Sequence, residues 1–206
     1  MKKIVFATLP LKGNIEKRRY PVDGNALIES KDPIYFAVNP AVACNLKADD
    51  EVKVILLETK GGENAGAENA KLFIDELKTL NTAGAKIVDE TQPTAFDPSK
   101  TNFKHLFKAL INEMEEGAQI YADVTYGPKP LTYLLLSVIR FAEKFFDCDV
   151  ENIVYSKVEF EGGKIKDGSE MIYDITPLYL LNSFTNTIES STGERAIKAV
   201  ESLLGE

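Results

Sequence analysis

Only one histidine, His105, and two cysteines, Cys44 and Cys148, occur in this chain of 206 residues. A single histidine excludes His-rich metal sites and most His-dependent catalytic triads. His105 stands between Phe103 and Phe107 in a helix-periodic stretch, so it reads as a scaffold residue and not a catalyst. Both cysteines sit among apolar neighbours, which predicts buried, reduced thiols rather than a disulfide or a metal site. The chain has no G-x-G-x-x-G segment. Gly61-Gly62 and Gly162-Gly163 do not form one, and a dinucleotide site is disfavoured.

Positive charge is also in short supply. Lysine and arginine number 24 against 32 aspartates and glutamates, a net charge of −8. A surface that binds nucleic acid in general is basic, so no DNA binding is expected. Any polyanion must be held by a local cluster of cations. Long apolar runs are missing as well. The longest, residues 131–146, contains Arg140, Glu143 and Lys144 and reads as a buried helix, not a membrane segment. Ile4-Val5-Phe6 is too short for a signal peptide and lacks a cleavage site. The scattered carboxylates show no metal-ligand spacing. The expectation is a cytoplasmic protein without metal or cofactor.

What is present is an alternation of β-rich and helix-periodic segments. Strands are predicted at residues 3–8, 52–57, 85–88, 119–124, 152–160 and 171–175. Helices are predicted at 33–46, 67–80, 100–115, 130–146, 178–184 and 194–204. Pro40 should interrupt or kink the first of these. Residues 9–32 read as an irregular loop, Gly61-Gly62 as a turn, and the last two strands as an antiparallel hairpin. The 130–146 helix is apolar nearly all round, which predicts burial on more than one side. This order predicts an α/β fold: a Rossmann-like, doubly wound, mostly parallel six-stranded sheet with an antiparallel edge hairpin. Residues 1–187 form the expected main domain. Residues 188–206, after a boundary near Ser190-Ser191-Thr192-Gly193, form a helical tail.

In such a sheet, ligands bind beyond the carboxyl ends of the strands where strand order reverses. For an order 3-2-1-4-5, that point lies between the first and fourth strands. The loop after the fourth strand reads Asp123-Val124-Thr125-Tyr126-Gly127-Pro128-Lys129-Pro130. Gly127 lets backbone approach a ligand, Pro130 suits a first helical turn, and the helix start offers free amides to a phosphate. Thr125 adds a hydroxyl, Lys129 a cation, and Tyr126 a ring that can stack on a base. The loop after the first strand holds Thr8, Pro10 and Lys12, then the basic run Lys17-Arg18-Arg19. Asp174-Ile175-Thr176-Pro177 reads as structural, with Thr176 capping a helix.

Asp123-Val-Thr-Tyr-Gly-Pro-Lys-Pro resembles the D-x-[ST]-x-G-x-[RK] signature of the CRISPR-associated Rossmann-fold (CARF) domains of type III CRISPR systems. Ile172-Tyr-Asp-Ile-Thr-Pro-Leu resembles a second segment common near the end of those domains. The resemblance implies a receptor for a cyclic oligoadenylate second messenger, bound across a homodimer. It implies ligand-binding roles for Thr8, Pro10, Lys12, Thr125, Tyr126, Gly127 and Lys129. Such domains usually carry an effector, and about twenty residues follow Asn186, too few for a catalytic domain; the expectation is a stand-alone member, a cut chain, or an output supplied by an effector module or partner. Cyclic tetra-adenylate is the favoured ring size, because one cation per short loop suits roughly four phosphates in a dimer. The alternative is a metal-independent ring nuclease in which a ribose 2′-OH attacks the neighbouring phosphate. Lys129, Thr125 and Tyr126 are then the candidate catalytic residues. The dimer is expected to form largely through the 130–146 helix.

Overall fold

The computed structural model describes residues 1–59, 65–89, 94–97, 100–187 and 192–204. In chain order the elements begin with β1 (Lys2–Thr8), β2 (Val22–Asp23), a 3-10 turn (Ala26–Ile28), α1 (Val38–Ala43), β3 (Glu51–Thr59) and α2 (Gly66–Leu80). Next come β4 (Lys86–Asp89), β5 (Thr94–Phe96), α3 (Lys100–Ile111), β6 (Gln119–Asp123) and α4 (Lys129–Phe145). The chain continues through β7 (Asp149–Lys157), β8 (Phe160–Glu161), β9 (Lys164–Ile165), β10 (Met171–Asp174), α5 (Thr176–Thr187) and α6 (Gly193–Leu204). None of the described helices is long and apolar enough to cross a membrane.

Burial along β1 dictates its place. Every residue from Lys3 to Thr8 is buried, so both faces of the strand are covered. That pattern belongs to the middle of a parallel sheet. Strand β1 indeed pairs in parallel with β3 on one edge and with β6 on the other. The sheet order is β2-β10-β7-β6-β1-β3-β4, and β5 follows β4 along the same edge of β3. Strand β10 runs antiparallel to β7, as expected of the last two long strands.

Helices flank the sheet. Val5, Ala7, Val52, Val54, Leu56 and Tyr121 form one core cluster with Val38 and Val42 of α1 and Phe73, Ile74 and Leu77 of α2. The alternate strand positions, among them Ile4, Phe6, Leu57, Ile120 and Ile153, are buried too. Helices α3 and α4 pack on each other and bury Leu106, Leu110, Leu131, Leu135 and Val138.

Several expectations need correction. The sheet has eight strands and not six: two short segments, β2 and β5, add to its edges. They are too short to register as periodic patterns. The segment read as a helix over 33–46 is helical only over Val38–Ala43, and Pro40 neither breaks nor kinks it. Pro40 lies in the first turn, where its missing N–H has no intrahelical partner to lose. The 9–32 loop is not wholly irregular, since Arg18 and Ile34 form a two-way antiparallel bridge at 2.9 Å. Helix α4 buries a single stripe, Leu131, Leu134, Leu135, Val138, Ile139 and Ala142, and leaves Tyr133 and Phe145 exposed. Both cysteines are free thiols, but only Cys148 is buried; Cys44, just past the end of α1, is exposed. The turn read at Gly61-Gly62 lies outside the described residues, as do Ser190 and Ser191.

The chain divides into two compact units, Met1–Thr176 and Pro177–Glu206. The first holds the sheet. Described by itself, the second consists of α6 and all of α5 but its first residue. Thr192 begins α6 with its hydroxyl accepting the Arg195 N–H at 3.3 Å.

The entry into α1 is held by a buried carboxylate from a neighbouring helix. Glu76 of α2 accepts the backbone N–H groups of Tyr35 at 2.7 Å and Phe36 at 3.0 Å, and the Asn39 amide at 3.0 Å. Burial pushes its carboxyl above the usual range, and these donors pull it back. Glu76→Ala strips partners from two main-chain amides. It should therefore destabilise the protein by about 2–4 kcal/mol, read as the shift in urea unfolding.

Candidate functional site

The loops after β1 and β6 meet where expected, at the carboxyl ends of two adjacent parallel strands. The link between them is a single hydroxyl. Thr8 Oγ1 accepts the N–H of Tyr126 at 3.0 Å and donates to the Asp123 carbonyl at 3.2 Å. Thr8 is buried, so its side chain fastens the loops together and does not face solvent.

Asp123 fixes the same loop from the other side. Its Oδ1 accepts the N–H of Thr125 at 2.9 Å, closing a turn within the loop. The backbone amides of Ala37 and Val38, at the start of α1, also favour the charged form of this carboxylate. Complete burial raises its pKa to about 6, against the pull of those donors. The Thr125 hydroxyl is engaged as well, accepting from the Ser156 N–H at 2.9 Å and from the Ser156 hydroxyl at 3.2 Å. The 124–128 loop is thus bonded to β1, β6 and β7.

Gly127 has φ +86, a conformation that side chains rarely adopt. A Cβ there would approach Leu131 Cδ2 at 3.1 Å and Thr59 Oγ1 at 3.5 Å. Both constraints require glycine, because the turn brings backbone against the start of α4 and the end of β3. The Thr59 hydroxyl is buried with no hydrogen-bond partner among the described residues. Pro128 precedes α4 and supplies no side-chain cap; Pro130 lies in the first turn. Lys129, the first residue of α4, is exposed, with no carboxylate partner among the described residues. Tyr126 is half-buried, and burial pushes its phenol upward, with Asp123 and Tyr20 adding to the shift.

The first loop is built differently. Pro10 is buried, and its carbonyl accepts from the Asn69 amide of α2 at 3.0 Å. The same amide donates to the Lys12 carbonyl at 3.0 Å, which leaves the Lys12 side chain exposed. The basic run is occupied elsewhere. Arg18 pairs with Glu16 at 2.7 Å and Glu170 at 2.9 Å. Arg19 donates to the Lys31 carbonyl at 2.7 Å, and Lys17 lies 5.1 Å from the centre of the Tyr35 ring.

Hydrogen bonds thus join Thr8 to Tyr126 directly and Thr125 to both through Asp123. Pro10 and Lys12 are tied to α2 instead. His105 is exposed on α3, beside Asn102 and Asp97. Sequence reasoning missed the role of Asp123, although an aspartate two residues before a threonine at a strand end is an Asx-turn signal. Ser156 gave no such signal, because its pairing depends on β7 lying beside β6. Asp174 is structural as read. It accepts from Asn25 at 2.9 Å, Asn152 at 3.1 Å and the Thr176 N–H at 3.0 Å. Asp174, and not Thr176, thus caps the start of α5; the Thr176 hydroxyl accepts the Ile153 N–H at 2.8 Å. Among the described residues, no group of three His, Cys, Asp or Glu could hold a metal ion. Compared with known proteins, the chain matches no family model and no curated sequence.

The raised Asp123 carboxyl has a signed consequence. Between about pH 4 and pH 6 the folded state holds a proton that the unfolded state releases, so this residue's contribution to stability falls as pH rises through that window. The loss is at most about 3 kcal/mol. Thermal midpoints of the wild type and Asp123→Asn should be compared at pH 5 and pH 7. The wild type should lose more stability, or gain less, over that interval than the variant, whatever the variant's absolute midpoint.

Proposed function

We propose that this chain is a cytoplasmic receptor for a cyclic oligoadenylate, with a doubly wound CARF-like domain that binds the messenger across a homodimer and relays to a separate effector. One observation carries the reading: the loops after β1 and β6 are clamped together by the Thr8 hydroxyl at the point where strand order reverses. Ligands in open parallel sheets bind at that position. Gly127 exposes backbone there, and Lys129 and Lys12 add exposed cations suited to phosphates. A twofold-symmetric ring on a twofold axis meets each loop twice.

The chemistry favours binding over cleavage. The Thr125 hydroxyl already accepts two hydrogen bonds, and the raised Tyr126 phenol stays protonated as a donor, not a base. Lys129 remains to orient a phosphate, which supports slow ring cleavage at most. The internal contacts of Lys17, Arg18 and Arg19 also favour the smaller ring, since a wider ring needs further phosphate partners.

Isothermal titration with cyclic tetra- and hexa-adenylate at matched salt tests the reading. The tetramer should bind more tightly than the hexamer, and neither binding would refute the receptor. Lys129→Ala should weaken binding by about 1–3 kcal/mol per site, the scale of a lost charge-assisted contact. His105→Ala should leave binding unchanged. Light scattering of the wild type should give a dimer mass at micromolar concentration.

A further inference from the structure

Charge is unevenly shared in this acidic chain. Helices α3 and α4 together carry six cationic residues, Lys100, Lys104, Lys108, Lys129, Arg140 and Lys144, against one carboxylate, Glu143. Lys104, Lys108 and Lys144 are exposed, and none has a carboxylate partner among the described residues. Between the two helices runs an apolar groove of about 630 Å³, lined by Phe103, Lys104, Phe107, Pro130, Tyr133 and Leu134. Tyr133 is 77% exposed, far more than a ring of its size needs for packing alone. Beyond the groove the aromatic row continues. Phe107 meets Phe141 edge-on at 5.9 Å, and Phe141 lies 4.7 Å from Phe145, which is 60% exposed with Lys144 over its ring.

From this placement we infer that the α3–α4 face binds single-stranded nucleic acid. Flat rings interleaved with unpaired lysines can stack bases while the ammonium groups follow the phosphates. The row from Pro130 to Phe145 spans about 22 Å, room for roughly four nucleotides. Other occupants suit the face less well. A second copy docked through it about a twofold axis would set lysines against lysines, so the proposed homodimer must form through another surface than this groove, and not largely through residues 130–146. An acidic peptide is best clamped by arginine forks, whereas the exposed unpaired cations here are all lysines, point charges without a preferred planar partner. The surface adjoins the loop after β6 at Pro130, but Phe103, Lys104, Phe107, Tyr133 and Lys144 lie outside the residues assigned to the messenger.

The test is fluorescence anisotropy with fluorescein-labelled single strands of ~12 nucleotides, RNA and DNA, titrated with the full chain at low salt. Binding is expected to weaken with salt with a log–log slope of roughly −2, as for about three phosphate contacts on a single strand. A blunt-ended duplex of the same length should bind at least tenfold more weakly. Lys104→Glu with Lys144→Glu should lower affinity tenfold or more, and Tyr133→Ala should lower it several-fold. All three positions are exposed, so the fold tolerates these changes. Unlabelled cyclic tetra-adenylate should leave a bound strand in place. No binding at low salt, equal binding of duplex, unchanged binding by the variants, or displacement by the cyclic ligand would each overturn the assignment. So would binding to anionic phospholipid vesicles without binding to the strands. None of these results depends on whether the messenger binds, which the Lys129→Ala titration reads separately.

Discussion

One buried carboxylate, that of Asp123, holds the centre of the molecule together. It stands at the end of β6, accepts the Thr125 N–H of the following loop, and is favoured in its charged form by the amides of Ala37 and Val38 that open α1. Burial without these donors would favour the neutral acid far more strongly. With them, the group remains ionisable near neutrality and ties a loop, a strand and a helix start to one point. Glu76 does the same one step earlier in the chain, for Tyr35 and Phe36. The main-chain amides of Tyr35 and Phe36 are therefore satisfied by a side-chain carboxylate from another element, and those of Ala37 and Val38 favour the charged form of a second. A six-residue helix cannot supply that satisfaction itself, and buried amides must find partners somewhere.

The consequence for the loop after β6 is rigidity. Thr8 holds the Tyr126 amide, Asp123 holds the Thr125 amide, and Ser156 holds the Thr125 hydroxyl. Few degrees of freedom remain to be lost when a ligand arrives, which lowers the entropic cost of binding. The same bonding limits catalysis. A hydroxyl that already accepts two hydrogen bonds inside the protein is poorly placed to activate anything outside it, and a phenol raised by burial stays protonated near neutral pH and takes up no proton. Rigid positioning combined with spent functional groups describes a receptor better than a nuclease.

The sheet was legible because its central strands β1, β3, β6 and β7 are five to nine residues long and carry buried apolar runs, flanked by the shorter β4 and β10. Residues 3–8 and 119–124 were recognised within one residue, and the rim between them followed from the rule on strand order. Strands β2 and β5, of two and three residues, have no period to detect. The reading of 33–46 as helix failed at residues 35 and 36 because a tertiary carboxylate, and not helical hydrogen bonds, holds their amides. Gly127 and Lys129 could be picked from sequence, since each is exceptional in its own loop. Thr8 was picked for the wrong task. Its hydroxyl looked like a ligand contact, yet parallel pairing of β1 with β6 turns it into an internal clamp. Such roles depend on which strand lies beside which, and that is not written locally.

Net charge and local charge pull in opposite directions here. At −8, the chain as a whole repels a polyanion at long range, but physiological salt screens that field within about 8 Å. What a phosphate feels on arrival is set by the nearest groups. At the rim these are Lys12, Lys129 and the first turn of α4; on the α3–α4 face they are the unpaired lysines. Binding under such conditions gains little from long-range steering and depends on short-range fit. A long duplex, which needs many cations along an extended track, is poorly served by this distribution. A compact anion that matches one rigid loop, or a flexible strand whose bases stack on exposed rings, would add backbone and stacking contacts to the salt-dependent phosphate contacts. On the proposed reading, segregating cations onto one helical layer and one rim would select among anions, and the acidic remainder of the surface would disfavour the extended ones.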